Sequence, residues 1–154
     1  MKTVFNISPR FPIEPRLVKE YVRFCIGQAL PICHDVGLLP PKQITFKCQR
    51  SSWDRSGRAR RNVNKRFACS NAGVLLKVNR VQYRWYQETY HRYKDSPKCW
   101  VYGTMEMFVH LAAHELGHAI CGFAGDKTGE FQCERFAARC LEAWRIRYQP
   151  EYSI

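Results

Sequence analysis

The stretch His114-Glu115-Leu116-Gly117-His118 constrains this chain more than any other, because two imidazoles and a carboxylate occupy fixed helical positions. On an α-helix, residues four apart share a face and lie about 6 Å from each other, so both histidines can contact one metal ion. Glu115, about 100° around the helix from His114, can stand beside that ion as a general base. The pattern predicts a water-activating metal site. Zinc is the expected ion, since His-ligated sites with one open position are typical of catalytic zinc.

The residues before this motif predict the helix that it needs. Residues 105–113 contain neither Pro nor Gly and are rich in helix-forming side chains. Apolar residues recur there at helical intervals: Met107, Leu111, Ala112, Leu116, Ala119 and Ile120. Such a stripe indicates a half-buried helix with a wet cleft above its ionisable face. His110, one turn before His114, can touch the edge of that cleft or serve as an ordinary polar helix residue.

Two histidines do not complete a zinc site, and the sequence offers two carboxylates for the third position. After His118 two glycines end the first helix, residues 126–129 predict a turn, and a second helix is predicted over residues 130–148. Glu130 and Glu134 share one face of that second helix. If it doubles back along the first helix, it needs several residues at about 1.5 Å each to reach the histidines, which favours Glu134. Glu130 is the alternative ligand, or a carboxylate near the positive end of the helix dipole.

Together these residues resemble the gluzincin branch of zinc metallopeptidases, with His114-Glu115-x-x-His118 followed by a helix carrying Glu134-x-x-Ala137-Ala138. More narrowly, the chain is similar to the minimal gluzincins and their relatives. These are the phage-repressor-cleaving peptidases, whose second helix has a similar E-x-x-A pattern, and the SprT-like proteases. The resemblance is specific over residues 105–145 and loose over residues 44–80. It implies that Glu115 activates water and that zinc is held by His114, His118 and the downstream glutamate.

The length and patterning predict one compact domain over residues 1–154, because 154 residues at 45% hydrophobic composition suit a single core. A helix is predicted over residues 14–30 and strands over 44–48, within 57–69 and over 73–79, with a short edge strand at 99–102. We therefore expect an α+β fold. Its sheet is small, mostly antiparallel or mixed, with three or four strands, and it accompanies an N-terminal helix, the metal helix and the C-terminal third-ligand helix.

The cysteines and the absence of long apolar runs indicate a cytoplasmic protein. Eight cysteines are scattered without a C-x-x-C pair, several of them within helical patterns, where a free thiol behaves as a small buried hydrophobe. The N-terminus has no apolar region long enough for a signal peptide, and no stretch approaches the ~20 apolar residues that span a bilayer. We expect reduced thiols and no membrane partner.

Positive charge is concentrated in the middle of the chain. Residues 42–98 contain fifteen Lys and Arg against three acidic residues, whereas residues 99–154 carry a small negative balance. Cationic side chains attract phosphates, and neighbouring aromatic rings can stack on unpaired bases. The candidate nucleic-acid contacts are Arg58, Arg60, Arg61, Lys65 and Arg66. An acidic protein is the alternative partner, and a solvated face without a partner is the plainest interpretation.

The expected activity is peptide-bond hydrolysis by a zinc metallopeptidase. Glu115 would take a proton from a zinc-bound water and pass it to the leaving nitrogen of a protein or peptide substrate, which the basic segment would help to recruit from nucleic-acid-associated proteins. Tyr102, Tyr148 and His91 are oxyanion-donor candidates by residue type alone. The alternative function is a non-catalytic, metal-containing module that binds nucleic acid or protein through residues 42–98. Glu115 argues against it, because a structural site needs no general base.

Overall fold

The computed structural model describes residues 1–11, 13–49, 57–60, 66–71, 87–88, 99–101 and 103–149, and it confirms a mixed α and β fold that is mostly helical. The three helices of these residues are α1 (Pro15–Asp35), α2 (Gly103–Leu116) and α3 (Lys127–Tyr148). A π-helical turn, Gly117–Cys121, continues α2 directly. None of the described helices is both long and apolar enough to cross a membrane.

The main sheet of the described residues has four strands in the order β1, β2, β4, β3. They are β1 (Lys2–Ile7), β2 (Gln43–Gln49), β3 (Gly57–Arg60) and β4 (Arg66–Asn71). The β1–β2 and β2–β4 pairs are parallel, and only β3 runs antiparallel to β4. Two further short strands, β5 (Gln87–Glu88) and β6 (Trp100–Val101), pair with each other. The sheet is therefore mixed, and a mostly antiparallel sheet is not confirmed.

The parallel pairing follows from an N-terminal strand that the sequence interpretation did not include. Strand β1 lies beside β2 with Phe5 opposite Phe46, and α1 connects the two strands. Parallel neighbours cannot be joined by a hairpin and need a crossover of this kind. The β-α-β unit at the start of the chain therefore fixes the direction of the first two strands.

Helix α1 begins as predicted and ends later than predicted. Pro15 occupies its first turn, where the missing N–H needs no partner. The helix continues through Pro31 to Asp35, since a proline removes one backbone hydrogen bond without stopping a helix that is held by packing. Gly37, with φ +72°, donates its N–H to the carbonyl of His34 and ends the helix in a left-handed conformation.

The core lies between the sheet and the helices, with α2 at its centre. The ring of Phe108 on α2 meets Phe11 at 5.7 Å and Phe46 of β2 at 6.3 Å between centroids, both edge to face. Tyr21 of α1 meets Trp144 of α3 at 5.2 Å in the same way. Helices α2 and α3 also pack directly on each other, and the histidines of α2 face α3.

A partly buried ion pair joins the far ends of the same two helices. Glu106, in the first turn of α2 and 5% exposed, accepts two hydrogen bonds from the guanidinium of Arg145, near the end of α3. Because a first turn meets a last turn, α2 and α3 are antiparallel. The second helix therefore doubles back along the first, as the sequence interpretation assumed.

Several sequence predictions fall on parts of the chain that the structure does not describe. The strand at residues 73–79 lies outside the described residues, as do His91, Tyr102, Arg61 and Lys65. Of the other candidate nucleic-acid contacts, Arg58 and Arg60 belong to β3 and Arg66 begins β4. Nucleic-acid binding by this group stays a prediction.

Candidate metal centre

A tight connection between α2 and α3 brings the two halves of the site together. Gly122, with φ +74°, ends the π-helical turn in a left-handed conformation. Asp126 caps α3 by accepting a hydrogen bond of 2.8 Å from the N–H of Gly129, so residues 126–129 form the cap and first helical turn rather than a separate turn. A Cβ on Gly129 would lie 1.8 Å from the carbonyl oxygen of Ala124, a contact that only glycine avoids. The first turn of α3 therefore packs directly on the connection and lies at the level of His118.

The ring of His118 is oriented by the backbone just beyond the π-helical turn. Its Nδ1 lies 2.7 Å from the carbonyl oxygen of Phe123. A carbonyl oxygen can only accept a hydrogen bond, so Nδ1 carries the proton and donates it. Nε2 then points to the Glu130 carboxylate, 3.2 Å from Oε1.

His114 has the same arrangement with a carboxylate in place of the carbonyl. Its Nδ1 lies 3.0 Å from Oε1 of Glu134, and its Nε2 lies 3.0 Å from Oε2 of Glu130. Burial opposes the charged imidazole, but the hydrogen bonds to Glu130 and Glu134 outweigh it and raise the pKa of His114 to about 10. Burial also opposes the low pKa of Glu134, yet its contacts with His110 and His114 bring that pKa to about 2. Glu134 is thus an ionised acceptor for the Nδ1 proton of His114.

These contacts define a position that calls for positive charge. With protons on both Nδ1 atoms, a neutral His114 or His118 would present the lone pair of Nε2 to the oxygens of Glu130. Only extra protons on the rings or a cation between the groups makes that arrangement favourable. The pKa values of both histidines are raised, and the two imidazoles hold the pKa of Glu130 well below its usual range. These shifts also show that positive charge is favourable at this position.

The exposure of the side chains gives this position an open and a closed side. The side chains of His118 and Glu130 are 16% and 22% exposed, whereas those of Glu134 and His110 are 10% and 5% exposed. His110 lies behind the site, with Nε2 3.4 Å from Oε2 of Glu134. The site is therefore open to solvent on the Glu130 side, while Glu134 and His110 support His114 from within.

Glu115 is buried beside the two histidines. Burial raises the pKa of its carboxyl to about 7, against the opposing charges of His114 and His118. A carboxylate with a pKa near neutrality can both accept and release a proton at physiological pH.

Cys133 is a further metal-ligating residue, which the sequence analysis did not single out. Its sulfur and ring nitrogens of His114 and His118 all lie within 4.8 Å of one another, so these three residues could hold a metal ion. The thiol is buried, and burial raises its pKa. A signal existed in the sequence, because Cys133 follows Glu130 by three residues and so shares its helical face.

The structure brings together five residues that the sequence proposed for the metal centre: His114, Glu115, His118, Glu130 and Glu134. It separates Tyr148 from them. Tyr148 follows Glu130 by eighteen residues on α3, about 27 Å at 1.5 Å per residue. The ring of Tyr148 packs instead on Tyr21 of α1, 5.0 Å between centroids, which excludes it as an oxyanion donor.

Comparisons of the chain with protein-family models, with curated proteins and with solved structures find no match. The gluzincin resemblance therefore rests on the motif residues alone.

Proposed function

We propose that this protein is a zinc-dependent metallopeptidase whose metal ion is bound between α2 and α3. The observation that carries the proposal is the convergence of both Nε2 atoms on one carboxylate while both Nδ1 atoms have fixed acceptors. Metal-ligating histidines commonly donate their other N–H to a carboxylate or a backbone carbonyl in this way. Two histidines with a purely structural role in the core would have no reason to direct both Nε2 atoms at one partly exposed glutamate.

Within this proposal, Glu130 is the third protein ligand and Glu134 orients His114. Glu130 contacts Nε2 of both histidines and lies on the open side of the site. Glu134 contacts Nδ1 of His114 and lies on the closed side. The sequence interpretation favoured the opposite assignment, with Glu134 as the ligand and Glu130 as the alternative. The observed contacts favour Glu130 because one ion cannot be bound by Nε2 of His114 and by a carboxylate at Nδ1 on the opposite side of the ring.

The donor set fits zinc. Two imidazole nitrogens and one carboxylate oxygen form the three-ligand set of catalytic zinc sites, in which the fourth position stays open. Such an ion supplies Lewis acidity, which lowers the pKa of a bound water and polarises the carbonyl of a substrate. The remaining chemistry belongs to the side chains of this chain.

Glu115 is the proposed general base and proton carrier. Its carboxylate accepts the proton of the attacking water and donates it to the nitrogen of the cleaved peptide bond, which leaves as an amine. In the metal-free protein, burial raises the pKa of this carboxyl to about 7, and the same desolvation favours uptake of a proton by Glu115. His114, His118 and Glu134 keep their positions throughout, because each is fixed by a hydrogen bond.

A second candidate function is favoured by Cys133. The sulfur of Cys133 lies close enough to His114 and His118 to share a metal with them, and Glu130 also contacts both histidines. If all four residues bound the metal, it would have the four protein ligands of a structural site. The protein would then be a non-catalytic binding module that works through its basic segment. Cobalt substitution separates the two functions, because a thiolate ligand gives an intense sulfur-to-cobalt absorption that Cys133→Ser abolishes. An open site shows no such absorption with either protein.

The decisive experiment compares Glu115→Gln with Glu142→Gln, a matched change of an exposed glutamate on α3. We expect wild type and both variants to bind one equivalent of zinc by mass spectrometry. Cleavage of casein and of a short neutral peptide should be lost only with Glu115→Gln. Cleavage that persists in Glu115→Gln, or zinc-loaded wild type that cleaves nothing, would contradict the proposal.

A further inference from the structure

We propose that the groove between the first half of α1 and the last turn of α3 is a binding surface for single-stranded nucleic acid. The groove has a volume of about 510 Å³ and lies at the opposite end of α3 from the metal centre. Three arginines, two aromatic rings and one glutamate line it: Arg16, Arg23, Arg147, Phe24, Tyr148 and Glu20. The inference does not depend on the proposed peptidase activity.

Two of the arginines are held in place by aromatic rings. The guanidinium of Arg147 lies 6.0 Å from the ring centroid of Phe24 and 5.5 Å from that of Tyr148, and the guanidinium of Arg23 lies 5.4 Å from the ring centroid of Phe5. No carboxylate of the described residues forms an ion pair with Arg23 or Arg147. A guanidinium stacked on a ring loses little further freedom when its N–H groups bind an anion. Both side chains are thus prepared to bind a phosphate.

The spacing of the arginines suits a chain of phosphates better than a single one. Arg16 and Arg23 are seven residues apart on one face of α1, a rise of about 10 Å, and Arg147 faces them across the groove. Arg16 makes only long contacts with Glu14 and Glu20, 3.6 and 3.9 Å, between well-exposed side chains. Exposed ion pairs of that length contribute little to stability, so a phosphate can replace Glu14 and Glu20 as the partner of Arg16.

The aromatic rings favour nucleic acid over an acidic protein. Phe24 and Tyr148 are only half-buried, and their rings lie 5.8 Å apart in the wall of the groove. Unpaired bases stack on such rings, a contribution to binding that a carboxylate-bearing peptide lacks. Glu20 opposes any polyanion, and its removal should therefore strengthen binding.

The test is fluorescence anisotropy with a dye-labelled oligodeoxythymidine and the full chain at several salt concentrations. Arg23→Gln/Arg147→Gln should weaken binding and lower the slope of log affinity against log salt by about 1.4, about 0.7 for each lost phosphate contact. The matched control, Arg135→Gln/Arg139→Gln, removes the same charge from exposed positions of α3 outside the groove and should leave the slope unchanged. Glu20→Gln should tighten binding.

Three outcomes would overturn the inference. They are the absence of oligonucleotide binding by wild type at low salt, an equal loss in both arginine pairs, and displacement of the oligonucleotide by polyglutamate as readily as by unlabelled oligodeoxythymidine. Circular dichroism confirms that each variant is folded. Peptide hydrolysis, measured in parallel at a site about 27 Å away along α3, reports separately on the proposed peptidase.

Discussion

The assignment of Glu130 as metal ligand and Glu134 as the support of His114 predicts two different losses of zinc affinity. Four-ligand zinc sites bind with about 10–16 kcal/mol, so one protein ligand contributes roughly 3 kcal/mol, or about 150-fold in the dissociation constant. Glu130→Gln removes the charge of the carboxylate, whose Oε2 faces Nε2 of His114 and whose Oε1 faces Nε2 of His118, so a loss of this size is expected.

Glu134→Gln has a smaller predicted effect because the amide oxygen can still accept the Nδ1 proton of His114. Loss of such an orienting partner costs about 10–100-fold in metal affinity, and the retained hydrogen bond places the expected loss near 10-fold, about 1.4 kcal/mol. Competition with a chromophoric chelator at fixed pH measures both constants, with Glu142→Gln as the control. The reverse order, with Glu134→Gln losing more zinc affinity than Glu130→Gln, would refute the assignment and restore Glu134 as the ligand.

Three further predictions concern stability. Gly129→Ala should destabilise the protein by at least 1–3 kcal/mol, as overpacking does, because its Cβ would collide with Ala124; Gly27→Ala, in open space within α1, should stabilise it by about 0.5–1 kcal/mol. Urea unfolding measures both, and a loss with Gly27→Ala would contradict the packing argument. Glu106→Gln should cost about 1–3 kcal/mol, and a double-mutant cycle with Arg145→Met should show coupling between the two sites, since the Glu106 carboxylate is buried and its partner is partly exposed. In chelator-treated protein, the contribution of His114 should be complete below pH 6.5 and lost as pH rises through about 10, because its pKa is raised in the folded state. Bound zinc should reduce that alkaline loss, and a metal-free protein equally stable at both pH values would contradict the contacts of His114.

Helix α2 could be predicted from sequence because the residue patterns that indicate it all lie within the helix itself. The spacing of His114 and His118, the run of helix-forming residues before them and the apolar stripe all lie within one helix, and the helical period alone determines which side chains share a face. The second helix was predicted for the same reason. Strand β1 was missed because it is stabilised by pairing with β2, which lies beyond α1 in the sequence. A pattern within residues 2–7 alone does not indicate that pairing.

The choice between Glu130 and Glu134 depends on tertiary detail that helical arithmetic does not contain. The sequence interpretation compared the heights of Glu130 and Glu134 along the helix axis, and it assumed that α3 runs for several residues before it reaches the histidines. The contact of Gly129 with Ala124 shortens the connection, so Glu130 already faces His118 from the first turn. A glycine that permits close backbone approach looks, in sequence, like any glycine in a turn.

The π-helical turn explains how both histidines can turn Nε2 to the same acid. His118 lies in that turn, and its backbone continues to Phe123, whose carbonyl oxygen fixes Nδ1. His114 lies in the regular helix, and its Nδ1 is fixed by a side chain of α3 instead. A backbone carbonyl and a side-chain carboxylate therefore both place the proton of their histidine on Nδ1. On the buried side, His110 and His114 also flank a carboxylate, but there His114 presents the Nδ1 that donates to Glu134. The exposed side, where two Nε2 atoms meet Glu130, is therefore the side on which we propose that a metal ion and its substrate bind.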